Sequence, residues 1–173
     1  MKKGELMWAC GLLETRVKDR IAETCLADSS DLCLSRRFID FPLHVSFKRS
    51  FYTASFAEVK EDLRQLIAGQ GKIDCGAFDL SRVGDMVWLR FEKEEGLKSL
   101  HERIDLFLKE KYQIGIDCFD RDYVPHATLF RDEDGTKLDK VYERLLKDLK
   151  REEVRIDRFF IGSRRVDNEY FDL

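Results

Sequence analysis

The sequence predicts an α+β chain made of two similar sheet-and-helix lobes about a pseudo-twofold axis, with a cleft between them. Three observations carry this. Two short stretches, FPLHVSF and VPHATLF, are near-copies in different halves of the chain. Strand-like and helix-like patterns follow each of them in the same order. And the matches fall at one offset, that of His44 and His126, 126 − 44 = 82. The same offset pairs Ser46 with Thr128, Arg49 with Arg131, Val59 with Val141 and Leu63 with Leu145. It also pairs Phe78, Ser81 and Arg82 with Phe160, Ser163 and Arg164. Several coincidences at one offset, in matching elements, indicate an internal duplication. Residues 1–173 are therefore expected to form one two-lobed domain.

Taken in order, LMWACGLL reads as a strand, and TRVKDRIAETCLAD as a helix because Val17, Ile21 and Cys25 recur at helical spacing. LHVSF is a strand entered through Pro42; proline is tolerated at strand starts because it cannot donate to the ladder. SFAEVKEDLRQLIAG is a helix opened by Ser55 and closed by Gly69. FDLSRVGDMVWLRFE is a hairpin turning near Gly84-Asp85. LKSLHERIDLFLKEKY is an amphipathic helix, with His101 expected on its charged outer face. HATLF follows Pro125 as a strand, TKLDKVYERLLKDLK is a helix, and VRIDRFFIGSRRVDNEYFDL is a closing hairpin.

Composition narrows the function classes. Of the 173 residues 43% are hydrophobic, enough for one core or two fused lobes, and 38% are charged. A formal net charge of -3 argues against a whole-surface electrostatic grip on nucleic acid. It leaves room for a local basic cleft that holds one or two phosphates. No apolar run approaches the roughly 20 residues of a membrane span. In MKKGELMWACGLLETR, Glu5 and Glu14 flank the apolar stretch and no small-residue cleavage site follows, so a strand is expected rather than a signal peptide. The five cysteines are odd in number, irregular in spacing and without a CxxC pair. That points away from a disulfide framework or zinc knuckle and toward idle thiols in a reducing compartment. The expectation is a cytoplasmic monomer with no cofactor, no metal, no membrane contact and no obligate protein partner.

The two motifs hold the chemistry. Residues i and i+2 of a strand share a face, so His44 projects with Ser46 and His126 with Thr128. Two such strands meeting across a pseudo-dyad set two imidazoles and two hydroxyls around one point. Histidine holds or releases a proton near neutrality. One neutral imidazole can then remove a proton from a nucleophile while an imidazolium protonates a leaving group, each contribution worth roughly 10²–10⁴ in rate. The hydroxyls suit the non-bridging oxygens of a phosphate held between them. Lys48, by strict alternation on the face of His44, is a candidate to neutralise that phosphate. Arg131 is another, provided strand twist brings it round. Tyr123 and Phe51 are candidates for stacking a nucleobase at the rim.

The paired H-V-S-F and H-A-T-L, in a duplicated α+β chain, resemble the motifs of the two-histidine (2H) phosphoesterases. The resemblance is greatest to the LigT-like RNA 2′,3′-cyclic phosphodiesterases, also called 2′-5′ RNA ligase-like proteins. It implies hydrolysis of a 2′,3′-cyclic phosphate on an RNA terminus or nucleotide, or of a related 2′-5′ linkage. His44 and His126 would act as acid and base, and Ser46 and Thr128 would hold the phosphate. It further implies opening to a 2′-phosphate, one histidine activating water and the other protonating the 3′-oxygen; the sequence does not say which does which. Ser46 stands where threonine is commoner, and FKRSFYT lacks the glycine-containing continuation of the group, which leaves the substrate open.

Rival readings are weaker. A metal hydrolase using carboxylates such as Asp120 or Asp122 lacks HxH and HExxH. Serine nucleophile chemistry lacks the G-x-S-x-G elbow. The alternative from another class is a non-catalytic nucleotide or RNA-end binding module on the same fold. Such a binder needs hydroxyls and basic groups but has no need of two proton carriers.

Overall fold

The computed structural model describes residues 4–35, 43–163 and 169–172, the last four by their backbone; Pro42 and Arg164 lie outside the described residues. Its elements are β1 (Glu5–Leu13), α1 (Thr15–Ser29) with a 3₁₀ turn (Ser30–Leu32), β2 (His44–Thr53), α2 (Phe56–Ile67), β3 (Ile73–Val83) and β4 (Met86–Phe91). They continue with α3 (Glu95–Tyr112), the short α4 (Cys118–Arg121), β5 (His126–Arg131), α5 (Gly135–Asp148), β6 (Glu153–Ser163) and β7 (Glu169–Asp172). Among the described residues no helix is long and apolar enough to cross a membrane.

Each helix buries the stripe its periodicity marks out. α1 turns Val17, Ile21 and Cys25 inward, α2 turns Val59, Leu63 and Ile67, and α5 turns Leu138, Val141 and Leu145. The β3–β4 turn closes over two residues, with Gly84 at φ 55, the left-handed conformation such a turn needs. α3 corrects the sequence reading at one residue. Its inward stripe is Leu97, Leu100, His101, Ile104, Asp105 and Leu108, so His101 is buried rather than solvent-facing. The i, i+3, i+4 rule places positions 101 and 105 beside positions 97, 100, 104 and 108, and burial followed position rather than polarity.

All strand pairs are antiparallel, in the order β2-β1-β6-β3-β4-β5, with β7 beside β6. Exchanging β1 with β4, β2 with β5 and β3 with β6 turns this order into its own reverse. The helix contacts obey the same exchange: α1 packs on α5, and α3 on α2. Each half thus lends a strand to the other. The motif strands β2 and β5 lie at opposite ends of the order yet contact one another. A twisted, curling sheet brings its ends round in this way.

Both motif strands are bulged at the same place. Along β1, Cys10 pairs with Ser46 and Ala9 with Lys48, which leaves Phe47 as the extra residue. Along β4, Trp88 pairs with Thr128 and Val87 with Phe130, which leaves Leu129. These extra residues are again 129 − 47 = 82 apart. The burial runs are identical, half-buried, buried, half-buried, buried, buried, exposed, over His44–Arg49 and over His126–Arg131. A bulge breaks the period-2 alternation beyond it, and this decides which side chains reach the site. Gly11, opposite Val45 on β1, makes room for the first bulge: a Cβ there would stand 2.5 Å from Ile156 and 2.6 Å from the Phe47 ring.

Candidate active site

Ahead of each bulge the alternation holds. His44 and Ser46 are both half-buried on one face of β2 while Val45 and Phe47 are buried on the other; His126 and Thr128 repeat this against Ala127 and Leu129 on β5. A cavity of about 160 Å³ opens beside them, lined by Ser46, Arg49, Trp88, Phe119, Tyr123 and His126 among others. His44 and Thr128 stand next to these residues on the motif strands and are not part of its wall.

His126 is held from two sides. Its ring stacks on the Trp88 indole, centroids 3.8 Å apart and planes 19° from parallel. Its Nδ1–H donates to the Val124 carbonyl at 2.8 Å. A carbonyl only accepts, so in the neutral ring this contact fixes the hydrogen on Nδ1 and leaves the lone pair on Nε2. Burial pushes the imidazole below its ordinary pKa of 6.5; the Val124 hydrogen bond opposes this and Arg90 adds to it. His126 is therefore poised to accept a proton.

Beyond the bulges the structure corrects three expectations. Lys48 does not face the cavity. It is 4% exposed, and its ammonium pairs with Asp105 at 2.7 Å and Asp120 at 2.5 Å, with the Gly115 carbonyl at 3.4 Å. The bulge at Phe47 rotates it inward, onto the face that Phe130 occupies in β5. Arg131 is exposed and pairs with Asp85 at 2.7 Å near the β3–β4 turn, away from the cavity wall. Phe51 is buried in the core opposite Met7, so it offers no ring to a ligand. Tyr123 does line the cavity, with one ring face covered by His101 at 3.8 Å between centroids.

The sequence reading missed Arg49, Phe119 and Trp88. Strict alternation pointed Arg49 away, whereas the bulge swings it to the cavity, its guanidinium 3.8 Å over the Phe119 ring. Among the described residues no carboxylate pairs with it, in contrast to Arg131. Phe119 is presented by α4, whose first turn is capped by Asp117 accepting from the amides of Phe119 and Asp120; the D-C-F-D spacing was the available signal.

Behind the cavity lies a buried cluster in which His101, Asp105 and Asp120 bring ligand atoms within 4.8 Å of one another, as a metal site would. The Lys48 ammonium stands between the two carboxylates, where a cation would sit. Burial pushes the Asp105 carboxyl up, and Lys48 draws it back down. The chain's own lysine thus stands where a metal would, one positive charge set against the two carboxylates.

A sheet whose two motif-bearing ends meet over a small cavity is the fold of known phosphoesterases. A crystal structure described as a phosphoesterase superposes with a TM-score of 0.65 at 16% identity, over 98% of this chain and 95% of that one. E. coli LigT complexed with phosphate gives 0.60 at 16% identity, over 99% and 96%. The same protein complexed with 3′-AMP gives 0.60 at 17%, over 98% and 95%. At such identities the likeness speaks for the fold. The family model of the 2′-5′ RNA ligase superfamily matches residues 18–168, and the chain belongs to that superfamily of two-histidine phosphoesterases. No curated protein matches the chain in sequence.

Proposed function

We propose that this protein is a metal-independent phosphodiesterase that opens a 2′,3′-cyclic phosphate on an RNA end or nucleotide, or cleaves a related 2′-5′ linkage. The observation that carries this reading is the doubled frame: the same H-x-[S/T] strand, bulged at the same point, on two strands that meet. Residues 1–173 act as one two-lobed domain, as a monomer in the cytoplasm and without a cofactor.

In the proposed step His126 is the base and His44 the acid. A water oxygen attacks phosphorus and its proton passes to His126 Nε2. The bond from phosphorus to the 3′-oxygen breaks, and His44 donates a proton to that oxygen, leaving a 2′-phosphate. Ser46 and Thr128 donate to the non-bridging oxygens, where charge builds up. Arg49 takes the part first expected of Lys48 and Arg131, and Phe119 offers the exposed ring first sought in Phe51. E. coli LigT, of the same fold, is complexed with phosphate in one structure and 3′-AMP in another, which supports a nucleotide phosphate as ligand.

Arg49→Ala is expected to raise KM about tenfold, the loss of one hydrogen bond to a charged group, whereas Arg131→Ala leaves KM within twofold of the parent. Steady-state kinetics on a cyclic mononucleotide checks both. The function itself is tested by incubating the protein with a 2′,3′-cyclic mononucleotide and with a short RNA bearing that end, in EDTA, and following phosphorus NMR. Turnover to a 2′-phosphate is expected. Tight binding without turnover would select a nucleotide-binding module instead.

A further inference from the structure

The extra residue of a bulge leaves the ladder, and its carbonyl then needs another partner. In β5 the residue after Leu129 is Phe130, an apolar group packed in the core. In β2 the equivalent place is different. The Phe47 carbonyl meets His101 Nδ1 at 2.7 Å, and the other ring nitrogen, Nε2, meets the Asp120 carbonyl at 3.0 Å. Both contacts are to carbonyl oxygens, which only accept, so each ring nitrogen must carry a hydrogen and donate. The ring is 3% exposed and lies flat on Tyr123. The charged groups facing it are Lys48 from β2, Asp105 from its own helix at 3.5 Å, and Asp120 from α4. The Lys48 ammonium lies against both carboxylates, the kind of partner a buried charge needs away from water.

Phe47, the extra residue of the bulge, directly follows Ser46 on the first motif strand. Asp120 opens the stretch D-R-D-Y-V-P-H that forms the cavity wall and leads into the second motif. We propose that His101 is a positioning residue for the reaction assigned above, a doubly donating clamp that ties the His44–Ser46 strand to the segment carrying Tyr123 and His126. It does not touch the reacting atoms. It sets the distance between the two half-sites, and a misplacement of about 1 Å can cost on the order of 10²-fold in rate. Among the described residues no histidine does the same for Leu129, and apolar Phe130 is packed in the core at the place that Lys48 takes in the first motif.

The inference rests on the proposed phosphodiesterase reading, and its test separates the two. His101→Asn keeps a donor near the Nδ1 position and His101→Gln one near the Nε2 position; His101→Phe keeps the stack on Tyr123 and neither donor. Expected are kcat losses of about tenfold for the first two and about 100-fold for the third, with KM within threefold of the parent throughout. Nitrogen NMR of the parent at pH 7.5 should show hydrogens on both His101 ring nitrogens, a readout that needs no turnover. A parent without turnover but with a doubly protonated His101 removes the assigned function and leaves the clamp. A ring with a single hydrogen overturns the clamp, as does a folded Asn or Gln variant with kcat within twofold of the parent.

Discussion

His126→Ala is expected to lower kcat/KM on a 2′,3′-cyclic nucleotide by about 10²–10⁴-fold, and His44→Ala by a comparable factor, with neither unfolding the protein. The size follows from what each imidazole does. Without the base, water must attack unassisted; without the acid, the 3′-oxygen must leave as an alkoxide. Because one step needs both transfers, the double variant should lose little more than the worse single variant, as groups acting as a unit are strongly non-additive. Both side chains are half-buried at the cavity side of their strands, so truncation opens no core cavity. Circular dichroism and kinetics on the same samples check this. A folded His126→Ala retaining a tenth or more of the parental rate would remove that residue from the chemistry.

The largest stability effect is expected at Lys48. Lys48→Met keeps most of the stem but strips the ammonium from two carboxylates, each under a tenth exposed. Breaking a buried pair by removing one partner typically costs about 3–5 kcal/mol, because the remaining charge is left uncompensated. Urea unfolding should show a midpoint far below the parent's. Two comparisons locate the cause. Arg131→Met, which removes an exposed pair with Asp85, should barely move the midpoint. The triple change Lys48→Met with Asp105→Leu and Asp120→Asn should recover part of the loss, since charge is then absent from both sides. A Lys48→Met midpoint equal to the parent's would contradict the buried cluster.

Much of the architecture was legible in the chain. The helical stripes needed only the 3.6 period, the β3–β4 turn only Gly84, and the doubling only a constant offset. The frames His44-x-Ser46 and His126-x-Thr128 were legible because the strand is regular up to that point. One inserted residue, Phe47, then defeated the period-2 reading, sending Lys48 inward and Arg49 outward. The matching insertion at Leu129 is invisible in the sequence, because apolar Leu129 and Phe130 fit a regular strand as well. Arg131, expected at the site if strand twist brought it round, is instead drawn to the turn by Asp85, and it is its symmetry partner Arg49 that lines the cavity. His101 was legible by position, since it falls in the buried stripe of α3. It was misread by residue type, because its compensating charges come from β2 and α4, distant in sequence.

The proposed reaction turns on a proton moving to His126, and the pH profile of kcat/KM in EDTA reads that directly. As pH falls His126 gains a proton and loses its lone pair, so activity falls on the acid side. Burial holds the folded-state pKa below 6.5, so the account predicts an acid limb with its midpoint below 6.5. That limb should vanish in the residual activity of His126→Ala and persist in that of His44→Ala. A midpoint at or above 6.5, or a limb that survives in His126→Ala, would contradict the account.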